Sequence, residues 1–271
     1  MFVADLTFHT TTLFPAADAL GSDDRDDADS EEEVASEAIV NVLRAMRMNG
    51  QICGREWPMV LTDLVYSVRV MIPAADALDD HHHNKYVRLA LQELAAANLD
   101  RFAVTVVGAD LEGSVCECLV PDSYLLYNYD RLIEPVLRCG DCFSPIPYYR
   151  IPPLRNDEYF DIIAWETSYK SYDDLRAVCS LALDTAVCYE LFNPASDLCT
   201  NGRAICTAIT ASTGRPAYYT LYRYGGEVVI EDQRWRCPAC HQPWFVATPW
   251  HDFDFVCHPC ALVSTRASDA G

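Results

Sequence analysis

The chain has 271 residues, half of them apolar, which is enough for one large domain or two modest ones built around a hydrophobic core. Its formal net charge of −20 reflects 40 acidic residues against 20 lysines and arginines, and this excess disfavours nucleic-acid binding, which needs cations to replace condensed counterions. No apolar run predicts a membrane helix, and the first residues alternate like a strand instead of forming a signal peptide, so we expect a cytoplasmic protein.

Residues 1–112 are predicted to form an α/β domain with an internal βαβ duplication. The hexapeptide PAADAL occurs at 15–20 and at 73–78, each time after a strand-like run and before a helix. Helical periodicity covers 31–50, ending at Gly50, and 84–100, which precedes a strand over 101–109. The fold class is therefore α+β, and a ferredoxin-like sandwich fits the repeat. Chance repetition in an Ala- and Asp-rich sequence is the alternative.

The segment 22–33, SDDRDDADSEEE, carries eight acidic residues and one arginine. A block of like charges is typically solvated, so we expect a loop that leads into the helix at 31–50. A surface that mimics nucleic acid or docks on a protein is the alternative.

The middle of the chain is predicted to contain two different segments. Residues 113–156 form a Cys- and Pro-rich connector, with a strand or hairpin over 115–130 and no helix over 137–154, because proline lacks an amide donor. Residues 157–232 form a helical segment plus a hairpin around Gly225–Gly226. Its predicted helices cover 157–170, 171–192 and 196–214, and Ser171 with Asp174 resembles a capping box at the start of the second.

Residues 233–266 are predicted to form a C-terminal zinc ribbon. Cys237 and Cys240 form one C-x₂-C pair, and Cys257 and Cys260 repeat it after sixteen residues. Each tight turn directs two sulfurs at one point, at the Zn–S distance of about 2.3 Å, and two such turns complete a tetrahedron. Four thiolates leave no open position, so the ion is expected to be structural. Iron in a rubredoxin-like site is the alternative metal.

The residues around these cysteines favour a structural role for the ribbon. His241 and His258 are expected to lie beside the metal without binding it. The neighbouring aromatic residues are expected to form the ribbon's small core or to dock it on the body. From residue 233 onward three arginines balance three aspartates, and a Zn²⁺ ion with four thiolates adds about two negative charges. The ribbon is therefore not a basic patch.

A second set of cysteines, Cys116, Cys118, Cys139 and Cys142, has the spacing C-x-C-x₂₀-C-x₂-C. The CGDC half is typical of a metal knuckle, with Gly140 allowing a tight turn. The C-x-C half is not a knuckle, although alternate positions of a strand share a face. A second zinc site and buried free thiols both fit this pattern.

No set of residues predicts catalysis. Three consecutive histidines at 81–83 are expected to form a solvated loop or helix cap, because consecutive side chains diverge in helices and strands. The segment 49–56, NGQICGRE, lacks the Gly-Lys-Ser/Thr end of a phosphate loop, and no hydrolase, metalloprotease or dinucleotide motif is present. A non-enzymatic protein is favoured, although an enzyme with unidentified residues remains an alternative.

Several blocks together resemble a bacterial family of unknown function whose members are described as Zn-ribbon-containing, candidate nucleic-acid-binding proteins. The blocks are NGQICGRE, LRCGDCFSPIPYYRIP, NGRAICTAITASTGRPAYYTLYRY, RCPACHQPW and FDFVCHPCALVS, in that order between about residues 49 and 264. The resemblance implies that Cys237, Cys240, Cys257 and Cys260 are zinc ligands and that the CGDC pair belongs to the family pattern. It also implies nucleic acid as a partner.

These observations predict a non-enzymatic zinc-ribbon protein that acts as a binding module. The resemblance favours a nucleic-acid partner, whereas the acidic charge favours a basic protein. An acidic inhibitor or immunity-type protein that covers a basic partner, such as a nuclease, is the alternative function.

Overall fold

The computed structural model describes residues 1–10, 22–100, 102–128, 133–178, 183–222 and 235–265. No helix within these ranges has both the length and the apolar composition needed to cross a bilayer. The helices are α1 (Ser22–Met48), α2 (Lys85–Ala96), α3 (Phe160–Ala177), α4 (Asp184–Phe192) and α5 (Asp197–Thr213). The strands are β1 (Phe2–His9), β2 (Met59–Thr62), β3 (Val65–Ile72), β4 (Ala103–Ala109), β5 (Tyr124–Leu126), β6 (Leu137–Cys139), β7 (Ala217–Thr220), β8 (Phe245–Trp250), β9 (Phe253–Cys257) and β10 (Leu262–Ser264). The α+β class is confirmed.

The N-terminal half forms a four-stranded sheet in the order β2-β3-β1-β4. All neighbouring strands run antiparallel, and the chain passes through them as β-α-β-β-α-β. The central strands alternate as a half-buried sheet requires, with Leu6 and Phe8 of β1 and Val68 and Val70 of β3 facing the core. Helices α1 and α2 cover that face, and Asn84 caps the N-terminus of α2 by accepting backbone N–H bonds.

The acidic segment 22–33 was predicted to be a loop, and this prediction is wrong. The segment forms the first turns of α1. An acidic sequence is compatible with the start of a helix, because negative charge there interacts favourably with the helix dipole. The helix ends where predicted, because Gly50 has a φ of 71° and its N–H donates to the Arg47 carbonyl. The first PAADAL copy lies outside the described residues.

The predicted helix boundary at Ser171 is wrong, because α3 continues through it. The Ser171 hydroxyl donates to the carbonyl of Thr167 and therefore caps no helix. A buried stripe that includes Trp165, Tyr169 and Asp173 holds the helix against the core across this point. The predicted helix over 196–214 is confirmed as α5, capped by Ser196 and ended at Gly214. The hairpin predicted around Gly225–Gly226 lies outside the described residues.

The C-terminal half forms a six-stranded sheet in the order β6-β5-β7-β10-β9-β8. Strand β7 pairs in parallel with β5 on one side and with β10 on the other. The antiparallel strands β8, β9 and β10 are therefore continuous with strands of the middle region. One face of this sheet packs on α3, α4 and α5, in a single core cluster that runs from Cys116 to Leu262.

Candidate metal centres

Two loops, one on each side of the six-stranded sheet, have the same backbone geometry. In the loop 139–144, the Cys139 N–H donates to the Ser144 carbonyl at 3.0 Å, and the Phe143 N–H donates to the Cys139 carbonyl at 2.9 Å. In the loop 237–242, the equivalent bonds join Cys237 with Gln242 and His241 with Cys237, at 2.9 and 2.8 Å. The fifth residue has a positive φ in both loops, 61° at Phe143 and 58° at His241. Each loop is thus a tight knuckle that turns two sulfurs to one side.

The four C-terminal cysteines converge as predicted from their spacing. The sulfurs of Cys237, Cys240, Cys257 and Cys260 all lie within 4.8 Å of one another. The Cys240 and Cys257 sulfurs are 3.6 Å apart, too far for a disulfide and close to the edge of about 3.8 Å that a tetrahedron with 2.3 Å Zn–S bonds requires. The cluster could therefore hold one metal ion of zinc size.

The second set of cysteines also converges, although only half of it is a knuckle. The sulfurs of Cys116, Cys118, Cys139 and Cys142 lie within 4.8 Å of one another. The C-x-C segment is brought to the knuckle by the Cys116 N–H, which donates to the Pro145 carbonyl at 2.8 Å. Arg150 holds the same segment by donating to the Cys116 carbonyl at 2.7 Å. This second cluster could also hold one metal ion.

The knuckle amides lower the pKa of one thiol in each loop. The backbone N–H of Gln242 and the thiol of Cys260 lower the pKa of Cys240 to about 7. Burial opposes ionisation of Cys142, but the N–H and hydroxyl of Ser144 outweigh it and lower that pKa as well. Another thiol in each cluster has a raised pKa because it is buried. The pKa is about 11 for Cys260 and about 11 for Cys139. Crowded, partly buried thiols resist joint ionisation unless a cation is present.

The tip of the β8–β9 hairpin, on the segment that leads to Cys257, contacts the knuckle of the other cysteine cluster. The indole Nε1–H of Trp250 donates to the Gly140 carbonyl at 2.9 Å, and the His251 Nε2 lies 2.7 Å from the same oxygen. Gly140 sits within the first knuckle, and its own N–H donates to the Ser123 carbonyl at 2.8 Å. The ribbon that carries the C-terminal cluster is therefore hydrogen-bonded to the loop that carries Cys139 and Cys142.

Gly140 is required by close packing rather than by backbone conformation. Its φ lies outside the positive range, so the tight turn predicted from its flexibility comes instead from Phe143. A Cβ at Gly140 would overlap the Ser123 hydroxyl and would approach Trp250 Cζ2 to 3.0 Å.

The aromatic residues of the ribbon form a core, as expected. Trp244, Phe253 and Phe255 are fully buried, and Trp235 packs edge-on against Trp244 with ring centroids 4.5 Å apart. His258 is directed away from metal ligation, since its Nδ1 lies 2.7 Å from the Tyr218 hydroxyl. Buried rings of this kind are unavailable for stacking on bases.

The two knuckles share more of their sequence than the C-x₂-C pairs on which the prediction was based. The octets 138–145 and 236–243 both read R-C-x-x-C-x-x-P, and in both the arginine forms a β-bridge to the proline. This repeat was a visible signal that the CGDC half of the second cluster adopts the fold of the ribbon knuckle.

A separate cleft of about 450 Å³ lies where the N-terminal half meets α3. Two of its carboxylates are paired with cations: Glu166 accepts from Lys170 at 2.7 Å, and Glu134 is paired with the buried Arg138. Desolvation raises the pKa of Cys53, which lines the cleft, to about 12. A protonated thiol beside paired charges is not an activated nucleophile.

Comparisons with known proteins place the chain in a family. Three family models match it, all described as domains of unknown function: DUF8589 over residues 25–108, DUF2310 over 118–222 and DUF8594 over 226–270. An uncharacterised protein of Haemophilus influenzae strain Rd is 30% identical over 240 residues, which cover 86% of this chain and 91% of that protein. A second uncharacterised protein of that strain is 32% identical over 163 residues, 59% of this chain and 79% of that protein. No solved structure matches significantly. The chain belongs to this bacterial family of unknown function.

The contact between the hairpin tip and the first knuckle predicts the effect of Gly140→Ala. The added methyl group must displace Ser123 or Trp250, and overpacking of this kind costs about 1–3 kcal/mol. We expect a lower midpoint of urea unfolding. Gly108→Ala is the matched control, because a Cβ there meets nothing within 4 Å. Equal midpoints for the two variants would contradict the role of this contact.

Proposed function

We propose that each cysteine cluster holds one structural Zn²⁺ ion and that the protein is a non-enzymatic binding module. The observation that carries this proposal is the convergence of two four-cysteine sets on knuckles of one geometry. Zinc fits because it prefers tetrahedral thiolate sites and because the cysteines in the described residues are free thiols. Such chemistry suits a reducing compartment, and we place the protein in the cytoplasm.

The zinc ions would hold the sheet together and would not act on a substrate. Four sulfurs fill a tetrahedral shell, so no position remains for a water molecule to be activated. Cys139 ends β6 and Cys257 ends β9, so the two ions would fix strands at separate places in one sheet. The two paired carboxylates in the cleft beside α3 also favour a non-enzymatic role.

We further propose that residues 1–112 form one folding unit with a ferredoxin-like sandwich. The β-α-β-β-α-β order and the strand order β4-β1-β3-β2 support this topology, and with it the two βαβ repeats. We propose that the segments 113–156, 157–232 and 233–266 fold together, because they share one sheet and one core. The family models divide the chain between residues 108 and 118, in agreement with the first boundary.

The partner that we favour is a basic protein. The formal charge of −20 becomes about −24 when each cluster holds zinc and four thiolates. A field of this sign attracts cationic surfaces and repels phosphates. The buried ribbon aromatics also speak against base stacking. Among proteins that bind a basic partner, the acidic charge favours an inhibitor or immunity-type protein. Such a protein would cover a basic enzyme such as a nuclease.

Elemental analysis of the purified full chain, after dialysis that removes weakly held metal, should find two zinc ions per chain, one for each cluster. Cys237→Ser and Cys139→Ser should each lose one ion, because three thiolates with a serine bind zinc far more weakly. Cys188→Ser, which alters a cysteine outside both clusters, is the control and should keep both ions. Two ions in the Cys139→Ser variant would show that the first cluster does not bind zinc.

Zinc affinity at the C-terminal cluster should fall steeply with acidification. Burial raises the pKa of Cys260 to about 11 and raises the pKa of Cys257 further, so both thiols hold protons in the metal-free protein at neutral pH. Zinc binding must release at least these protons, which makes affinity weaker as pH falls, by about 100-fold per pH unit. Competition with a chromophoric chelator at pH 6, 7 and 8 measures this slope. A slope near zero would be incompatible with thiolate ligation.

The choice of partner is tested by gel shift and by affinity capture. We expect no shift of single- or double-stranded DNA or RNA even at low salt, and we expect the immobilised chain to retain basic proteins from nuclease-treated lysate. A shift that weakens steeply with added salt would instead establish direct nucleic-acid binding. Loss of all captured proteins after nuclease treatment would point the same way.

A further inference from the structure

The histidine triplet lies beside an acidic residue in a way that its sequence did not predict. A 3₁₀ turn, Asp80–His82, follows the second PAADAL copy between β3 and α2. Ring nitrogens of His81 and His82 and a carboxylate oxygen of Asp76 all lie within 4.8 Å of one another. The two imidazole rings have centroids 3.8 Å apart, so the expectation that consecutive histidines diverge is wrong here. A 3₁₀ turn winds differently from a helix or strand and directs these two side chains to one side.

His82 is held rigidly by residues outside its own loop. The buried Asn49 side chain donates from Nδ2 to the His82 carbonyl at 2.7 Å. The Tyr149 ring packs against the His82 imidazole, with centroids 4.1 Å apart. The His82 side chain is consequently 15% exposed, whereas those of Asp76 and His81 are 49% and 64% exposed. One donor is preorganised, and the other two face solvent.

Three buried polar atoms in this region lack hydrogen-bond partners among the described residues. They are the Nε2 of His82, the Nε2 of His83 and the hydroxyl of Tyr149. The nearest carboxylate oxygen, Oδ2 of Asp76, lies 3.5 Å from the His82 Nε2. Unsatisfied buried groups in native proteins usually face water or an ion. Because the His82 Nε2 lies beside a carboxylate and a second imidazole, a cation is favoured at this atom.

We propose that Asp76, His81 and His82 form a third metal site, for a divalent transition-metal ion bound by two imidazoles and one carboxylate. Imidazole and carboxylate donors suit Zn²⁺, Ni²⁺ or Co²⁺, whereas Ca²⁺ and Mg²⁺ prefer oxygen ligands alone. Three protein donors leave a coordination position open to water or to a further ligand. The site therefore differs in kind from the closed cysteine clusters, and it uses none of their residues.

The main competing explanation is diffuse attraction of cations to an acidic loop. Asp79 stands 3.9 Å from the His81 Nδ1, and Asp80 stands 3.9 Å from the Nδ1 of His83. Attraction of this kind would depend on the number of carboxylates and not on which one is removed. Removal of the Asp79 charge distinguishes the two explanations, because Asp79 belongs to the same loop but not to the proposed site. Its side chain makes no capping bond to the turn that would be lost with it.

The test is calorimetric titration of Zn²⁺ into the full chain without a histidine tag, after its cysteine clusters have been loaded with zinc. We expect one additional ion per chain, bound at least about tenfold more weakly in Asp76→Asn and in His82→Gln. The control Asp79→Asn removes the same charge from the same loop and should change the dissociation constant by less than about twofold.

Two outcomes would overturn the proposal: no additional zinc in the unaltered chain, or equal weakening in Asp76→Asn and Asp79→Asn. Because His82 packs against Tyr149, its variant is compared with the unaltered chain by thermal unfolding monitored by circular dichroism. Asp76 is half exposed, so Asp76→Asn keeps the test decisive even if His82→Gln unfolds.

Discussion

Four thiols within 4.8 Å of one another cannot all ionise unless a cation lies between them, and both cysteine clusters present this condition. The knuckle amides favour one thiolate in each loop, whereas burial raises the pKa of neighbouring thiols. A divalent ion would resolve the conflict by replacing the protons. In zinc-finger peptides such binding is worth about 10–16 kcal/mol at pH 7, which is comparable to the whole stability of a domain.

The two clusters do not stabilise independent modules. Strand β10 pairs with β7, and the hairpin tip at Trp250 and His251 contacts the Gly140 carbonyl in the opposite knuckle. The C-terminal ribbon thus completes a sheet that begins at β6, and it buries Trp244 and Phe255 in the core of that sheet. This arrangement explains why the ribbon needs no large core of its own.

Sequence reasoning succeeded where structure is local. A C-x₂-C knuckle depends on six neighbouring residues, so the convergence of Cys237 with Cys240 could be predicted, and the capped ends of α5 followed from Ser196 and Gly214. The approach of Cys116 to the CGDC knuckle depends on a bond to Pro145, which lies 29 positions away, and spacing alone left it open. Periodicity could not show that α3 continues through Ser171, because the helix is held there by tertiary packing of its buried residues, which include Trp165.

Interactions that contradict a general tendency were the hardest to predict. Charge blocks are usually solvated loops, yet residues 22–33 lie at a helix N-terminus, where negative charge is stabilising. Adjacent histidines usually diverge, yet a 3₁₀ turn brings His81 and His82 together, and Asp76 reaches them from the preceding PAADAL segment. In each case the local conformation reverses the expectation drawn from composition.

The parallel pairing of β7 with β10 also has a consequence for biosynthesis. Strand β7 ends at Thr220 and its partner begins at Leu262, so one edge of β7 stays uncovered until residues 262–264 have been synthesised. An uncovered strand edge invites pairing with other nascent chains. If the C-terminal cluster binds a metal ion, that binding would hold β9 beside β10 and so favour covering this edge of β7.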